Sequence, residues 1–286
     1  MNKKYILFII AFLLALSFLW LEIKKESSPT PTPNPTPTQV ITPTPNSSAF
    51  SKPIGHLAKF FPNTKQYLKA GDVLSAATSR GDSPENPMTT NNAKWIKAMQ
   101  DLNSVNLEGV EKHLLLSATE DAKNLIGYVP DDVDYIGYNM EGGMTPESDF
   151  TDVAASVKAF ADIVHNSGRK MVFGPIWKDW DKYSSSTLND ILKAVDEVVI
   201  QEQANLRNTY DNNGYNDFIN DVKTKTEKFK KINPNVKINI QLWIGRQMPQ
   251  QMINGFKLIE QHVDSVSIGT QEAEAGVITV LQGLGR

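Results

Sequence analysis

The sequence predicts an α/β protein, a closed (β/α)8 barrel that follows an apolar N-terminal segment and a Pro/Thr-rich stalk. Three observations carry this. Strand-like and helix-like runs alternate along the C-terminal 230 or so residues, which calls for a parallel sheet with right-handed crossovers. Seven strands are evident and an eighth is available, the number that closes a barrel. Several strands are apolar on one face and polar on the other, unlike the two-sided apolar strands of an ordinary parallel sheet. An open doubly wound sheet is the second choice.

Residues 1–26 hold "YILFIIAFLLALSFLWL", Tyr5 to Leu21, a charge-free run with Lys3 and Lys4 before it. As a helix it would span ~26 Å at 1.5 Å per residue, close to a hydrocarbon core. It reads as an uncleaved transmembrane anchor. A cleaved secretory signal, whose small-x-small site Ala15-Leu16-Ser17 matches only loosely, is the alternative. A buried soluble helix is the plainer reading. After the run, Glu22 and Glu26 offset Lys24 and Lys25, so the charge bias expects a cytoplasmic N-terminus and an external C-terminal domain at a cell membrane.

Residues 27–53, "SSPTPTPNPTPTQVITPTPNSSAFSKP", have too little apolar surface to fold and favour extended polyproline conformations. They read as a linker holding a domain away from the membrane, either O-glycosylated or plain. Asn46-Ser47-Ser48 is an N-glycosylation pattern.

Residues 54–286 suit one domain. The first 26 residues contain four lysines and two glutamates, so 25 of the chain's 29 basic and 30 of its 32 acidic residues lie beyond them. With no basic run, nucleic acid is not an expected partner. There is no cysteine, so the domain relies on its core alone. No Gly-rich phosphate loop is present, and His56, His113, His165 and His262 lack ligand spacing, so neither a cofactor nor a metal is expected.

In order, the domain reads as a weak strand in 53–61, strand 72–79, helix 91–102, strand 112–118, strand 135–141, helix 151–168, strand 170–177 and helix 186–196. Strand 197–203, a helix near 215–232, strand 236–244, helix 249–262, strand 264–271 and helix 272–284 follow. Helix 151–168 is the clearest, with Val153, Val157, Phe160, Ala161 and Val164 on one face and Gly168 as its stop.

Strand alternation then sorts the faces. In "VKINIQLWI", Val236, Ile238, Ile240, Leu242 and Ile244 oppose Lys237, Asn239, Gln241 and Trp243. Val199, Gln201 and Gln203 share a face, as do Ser265, Ser267, Gly269 and Gln271. In "YIGYNMEGG", Gly137, Asn139 and Glu141 oppose Ile136, Tyr138 and Met140. In a barrel the polar sets converge inside, toward the C-terminal ends where barrel active sites sit. Asn139 and Glu141 are therefore expected to share an amide-rich pocket with Gln201, Gln203, Gln241, Trp243 and Gln271. Amides donate and accept together, matching sugar hydroxyls, and an indole offers a flat face to a pyranose. Glu141 is the main acid expected to face in, while Glu202 has the opposite parity. Gly142 and Gly143 permit a sharp turn or a close ligand approach. Trp177 and Trp180 end another strand, as a cleft wall or as core. The plainer reading of the interior is a hydrogen-bonded core with buried water.

The stretch "DYIGYNME" resembles the active-site strand of the family 18 glycoside hydrolases, the chitinase-like barrels, whose pattern is D-x-x-D-x-D-x-E. Asp134 matches the first position and Glu141 the last, while Gly137 and Asn139 stand in the two middle places. The family's Tyr and Asp of the sixth strand are not evident in "VIQEQ". The resemblance implies a fourth barrel strand, Glu141 as general acid, and Asn139 in the place of the group that helps the substrate's N-acetyl attack the anomeric carbon. As a general acid Glu141 would need its pKa raised by burial. The expected partner is a carbohydrate or cell-surface polysaccharide, with Gln201, Gln203, Gln241, Gln271, Trp243 and Trp177 binding substrate. The alternative is a non-catalytic glycan-binding or envelope-structural domain on a stalk. A second pocket carboxylate would discriminate, with Asp82, Glu120, Glu202 and Glu272 as candidates.

Overall fold

The computed structural model describes residues 49–80, 83–175, 180–202 and 212–286. The expected anchor and nearly all of the stalk lie outside them. Among the described residues, no helix is long and apolar enough to cross a membrane.

Eight parallel strands close into a barrel in sequence order, β1 (Ile54–Leu57), β2 (Val73–Ala77), β3 (Glu111–Leu116), β4 (Tyr135–Tyr138), β5 (Lys170–Phe173), β6 (Glu197–Gln201), β7 (Lys237–Trp243) and β8 (Ser265–Gly269). Ile54 of β1 pairs with Val266 of β8 to complete the ring. The weak eighth strand is thus real but four residues long. It is followed by helical turns over 58–67 rather than a full helix, because Pro62 and the aromatic run Phe60-Phe61 lock the chain against the barrel early.

Helices follow the other strands: α1 (Ala93–Ser104), α2 (Thr119–Leu125), α3 (Val153–Asn166), α4 (Ser185–Ala194), α5 (Asn212–Ile232), α6 (Pro249–Ile259) and α7 (Glu274–Gly283). The sequence reading missed α2, whose seven residues are too few for a periodic face. Three helix starts are capped by side chains the sequence supplies: Asn92 accepts from Lys94 and Trp95 N–H, Asp152 from Ala155 N–H and Ser184 from Thr187 N–H. Gly168, with φ 79°, ends α3 as expected.

The outward strand residues form the main core with the helices. Leu74, Leu114, Ile136, Met171, Ile200, Ile240 and Val266 are all fully buried there, each contributing ~1.5–3 kcal/mol. Trp180 belongs to this core. It is 2% exposed, its ring meets Phe173, Tyr183 and Phe229, and its Nε1 donates to the Val199 carbonyl at 3.3 Å. That excludes it as a cleft wall.

One device recurs at the N-terminal end of the barrel. An aspartate immediately precedes every even strand: Asp72, Asp134, Asp196 and Asp264. Its carboxylate accepts a backbone N–H from the preceding odd strand, from Ile54, Lys112, Met171 and Ile238 respectively, at 2.8 to 2.9 Å. The same three residues Lys112, Met171 and Ile238 return their carbonyls to the N–H of Asp134, Asp196 and Asp264 at 3.0 Å. These aspartates pin adjacent strands in register where backbone pairing begins.

Candidate functional site

The inward residues enclose one cavity of about 310 Å3, open at the C-terminal end of the barrel. Asn139, Glu141, Gln201, Gln241, Trp243 and Gln271 all line it, as the face assignment expects. Gln203 and Trp177 lie outside the described residues.

Glu141 follows β4 and is held by its own turn. Its N–H donates to Thr145 Oγ1 at 3.0 Å, and its carbonyl accepts from the N–H groups of Met144 and Thr145 at 3.1 and 2.9 Å. Gly143, with φ 82°, makes this turn possible, and nothing lies within 4 Å of where a Cβ would stand at Gly142 or Gly143. The Glu141 side chain is half-buried, and among the described residues no donor bonds its carboxylate. Asn139 is fixed below it by its N–H, which donates to the Leu116 carbonyl at 2.8 Å.

Trp243 reaches the mouth because its neighbour on β8 is Gly269. A Cβ there would meet the indole Cε3 at 2.5 Å, so the ring lies across the bare glycine. Gln201, Gln241 and Ser267 are register partners on β6, β7 and β8, which sets two amides and a hydroxyl side by side. Lys94 of α1, not anticipated from sequence, also lines the cavity and donates to Ser79 Oγ at 2.6 Å. Its helix gave no signal that distinguished it from an ordinary exposed lysine.

The largest correction concerns acids. Glu197 also lines the cavity, at its floor, and is only 2% exposed. It shares the parity of Val199 and Gln201, so the alternation contains the signal, but it opens its strand, at the end opposite the cavity mouth. Asn239 Nδ2 donates to Glu197 Oε1 at 3.2 Å, and Ser267 Oγ donates to Asn239 Oδ1 at 2.8 Å. Burial pushes the Glu197 carboxyl above the usual carboxylate range; nearby His113 and Lys237 oppose the shift, and Glu111 adds to it. His113, 4% exposed, lies tilted by 32° against Tyr135 with ring centroids 4.4 Å apart, and the ammonium groups of Lys170 and Lys237 lie over the Tyr135 ring at 5.3 and 5.2 Å. Leu115, Val172 and Val199 line one aliphatic side of the cavity.

The expected second carboxylates do not reach the cavity. Glu202 points toward the helices, where Lys225 of α5 donates to it at 3.0 Å and to Asp221 at 2.7 Å. Two carboxylates sharing one ammonium in a buried place leave Glu202 with a pKa well above the usual range, burial being the main cause. Glu120 pairs with Lys123 at 3.2 Å and lines a separate surface groove beside Arg80 and Asp149. Glu272 is exposed and does not line the cavity. Asp82 lies outside the described residues.

The geometry also explains the departures from the D-x-x-D-x-D-x-E pattern. Leu115 Cδ2 occupies the space where a Cβ at residue 137 would stand, so an aspartate there would have to push the end of the Leu115 side chain aside. Asp134 performs the strand-pinning role it shares with Asp72, Asp196 and Asp264. Of the pattern, only Glu141 faces the cavity as an acid.

No protein-family profile and no curated protein sequence matches the chain. Among solved structures, it is similar to a candidate α-L-fucosidase from Bacteroides thetaiotaomicron, with TM-score 0.54 at 8% identity over 89% of this chain and 98% of that one. It is also similar to a chitinase from Chromobacterium violaceum, with TM-score 0.52 at 10% identity over 82% and 100%. A 3-keto-L-gulonate-6-phosphate decarboxylase from Vibrio cholerae scores 0.47 at 10% identity over 82% and 99%. At such identities the two higher likenesses speak for the fold alone: this chain carries a (β/α)8 barrel.

Proposed function

We propose that the domain is a glycoside-hydrolase-like barrel acting on a polysaccharide or glycan, with Glu141 as its general acid. One observation carries the reading: a half-buried carboxylate stands at the rim of a barrel cavity that amides and an indole also line. Glu141 would protonate the glycosidic oxygen as the bond to the anomeric carbon breaks. Among the described residues no second carboxylate stands at the rim, so the attacking group would be water or the substrate's own N-acyl oxygen. Asn139 would orient that group through its amide. Gln201, Gln241, Gln271 and Trp243 would hold the ring. Supporting the sugar reading are the resemblance of "DYIGYNME" to the chitinase-like barrels and the two glycosidase neighbours of the fold.

The second reading is a non-catalytic glycan-binding domain, favoured by the neutral Asn139 and by Glu120 and Glu202 being engaged away from the cavity. In either case Tyr5–Leu21 would anchor the chain in the cell membrane and the Pro/Thr stalk would present the barrel outside. Glu141→Gln separates the two readings. It keeps the shape and removes the proton, and loss of general acid catalysis costs ~10²–10⁴-fold in rate. Parent and variant are assayed on a panel of polysaccharides. Hydrolysis at an unchanged rate sinks the assignment of Glu141, and sugar binding without hydrolysis by the parent favours the binding domain.

A further inference from the structure

We infer that the cavity floor is a recognition subsite of its own, in which Glu197, Asn239 and Ser267 hydrogen-bond the hydroxymethyl group of a neutral pyranose standing end-on in the barrel. This rests on the reading of the cavity as a sugar site. It goes further by naming the part of the sugar that is read and the residues that read it.

The first argument is that the floor is built and open to the cavity. Ser267, Asn239 and Glu197 form a hydrogen-bonded chain across β8, β7 and β6. Asn239 and Glu197 are each 2% exposed. Asn239 donates to Oε1 of Glu197, which leaves the carboxyl with capacity for a further hydrogen bond from the cavity. A buried carboxyl with free capacity costs free energy unless something bonds it. The second argument is polarity by depth. Glu197 lies four residues below Gln201 on one strand, ~13 Å at ~3.3 Å per residue, less the strand tilt. Between them the same strand offers Val199, and Leu115 and Val172 extend this aliphatic side of the wall, while Ser75 and Ser267 keep the opposite side polar. A ligand spanning this depth meets polar groups at the mouth, one aliphatic side along the wall and polar groups again at its tip. A pyranose on end has that profile: ring hydroxyls at the rim, the C6 methylene along the aliphatic side and its hydroxyl at the floor. The third argument is charge. Burial favours the neutral Glu197 acid, which donates as well as accepts, as a hydroxyl partner should. Groups facing it are His113, Lys237 and Glu111, and Lys237 is held 3.6 Å from Glu111.

The test is a cycle that removes a group from each side. Full-length protein in detergent micelles, carrying Glu141→Gln to prevent turnover, is titrated with methyl N-acetyl-β-D-glucosaminide and with its 6-deoxy analogue. The 6-deoxy sugar should bind roughly tenfold more weakly, the cost of leaving a buried partner unmet. With Glu197→Ala added, the two sugars should bind alike, whereas Glu197→Gln should keep the discrimination because an amide also donates and accepts. Ser267→Ala provides the same cycle should Glu197→Ala fail to fold by circular dichroism. A purely structural floor would lower the melting temperature and leave the ratio between the two sugars unchanged, and that result overturns the inference while leaving the sugar site standing. Absence of binding by any pyranose to the parent protein overturns the sugar reading itself, and the floor subsite with it.

Discussion

Asp134 grips Lys112 at two points: its N–H donates to the Lys112 carbonyl at 3.0 Å, and its carboxylate accepts the Lys112 N–H at 2.9 Å. Asp196 does the same to Met171, and Asp264 to Ile238. The side chain thus supplies an acceptor where the ladder has not yet begun. The backbone carbonyl of Asp134 then accepts from the N–H of Lys170 at the start of β5.

Replacing Asp196 by Ala should leave the Met171 N–H without its acceptor and remove the Asp196–His165 contact of 2.8 Å. The expected loss is ~1–3 kcal/mol, read by urea denaturation. Asp196→Asn keeps an acceptor and should cost less than Asp196→Ala. Equal losses would show that the carboxylate's hydrogen bond is not what the position supplies.

An aspartate at the second acidic position of the D-x-x-D-x-D-x-E pattern should destabilise the barrel. Gly137→Asp places a side chain where Leu115 Cδ2 already stands, and overpacking of this kind costs ~1–3 kcal/mol before the burial of the charge is counted. Adding Leu115→Ala should recover part of the loss. A Gly137→Asp protein as stable as the parent would contradict the close packing of the barrel waist.

Lys225 is the shared cation of Glu202 and Asp221, with side-chain exposures of 10%, 2% and 31%. Lys225→Met should destabilise by ~3–5 kcal/mol because buried carboxylates lose their counter-charge. The loss should be larger at pH 8 than at pH 5.5. Glu202 has a folded pKa above its ordinary value, so the folded state gains a proton on acidification and the penalty is relieved there. Denaturant midpoints at the two pH values check the direction.

His56 gives the opposite slope. It is 2% exposed, its Nδ1 lies 3.0 Å from the Leu57 carbonyl, and burial lowers its pKa to about 4. The unfolded chain protonates near 6.5 and the folded chain does not, so this contribution is full above pH 6.5 and is lost as pH falls toward 4. The window carries ~3 kcal/mol at 1.36 kcal/mol per pKa unit. In His56→Leu the acid-side loss from this group should vanish, seen as a flatter stability profile between pH 4 and 6.5 than the parent's. An unchanged profile would mean that His56 already ionises in the folded protein.

Alternation and repetition determined much of this protein from sequence alone. A period of two in "VKINIQLWI" and "DSVSIGTQ" commits one face to the helices, and the other face has nowhere to go but the barrel interior. Hence Asn139, Glu141, Gln201, Gln241, Trp243 and Gln271 are legible in the sequence as sharing the inward face, and Glu202 as pointing away. The tertiary structure decided what depends on neighbours distant in the chain. That Leu115 fills the space over Gly137, that Gly269 seats Trp243, and that Asn239 joins Glu197 to Ser267 are contacts between different strands. Parity says which way a side chain points, but not what meets it there. The strand register and the barrel's closure, pinned by aspartates 62 residues apart at Asp72, Asp134 and Asp196, settle that. For this reason the alternation gives the face of Glu197, while only the register of β6, β7 and β8 sets Asn239 and Ser267 beside it.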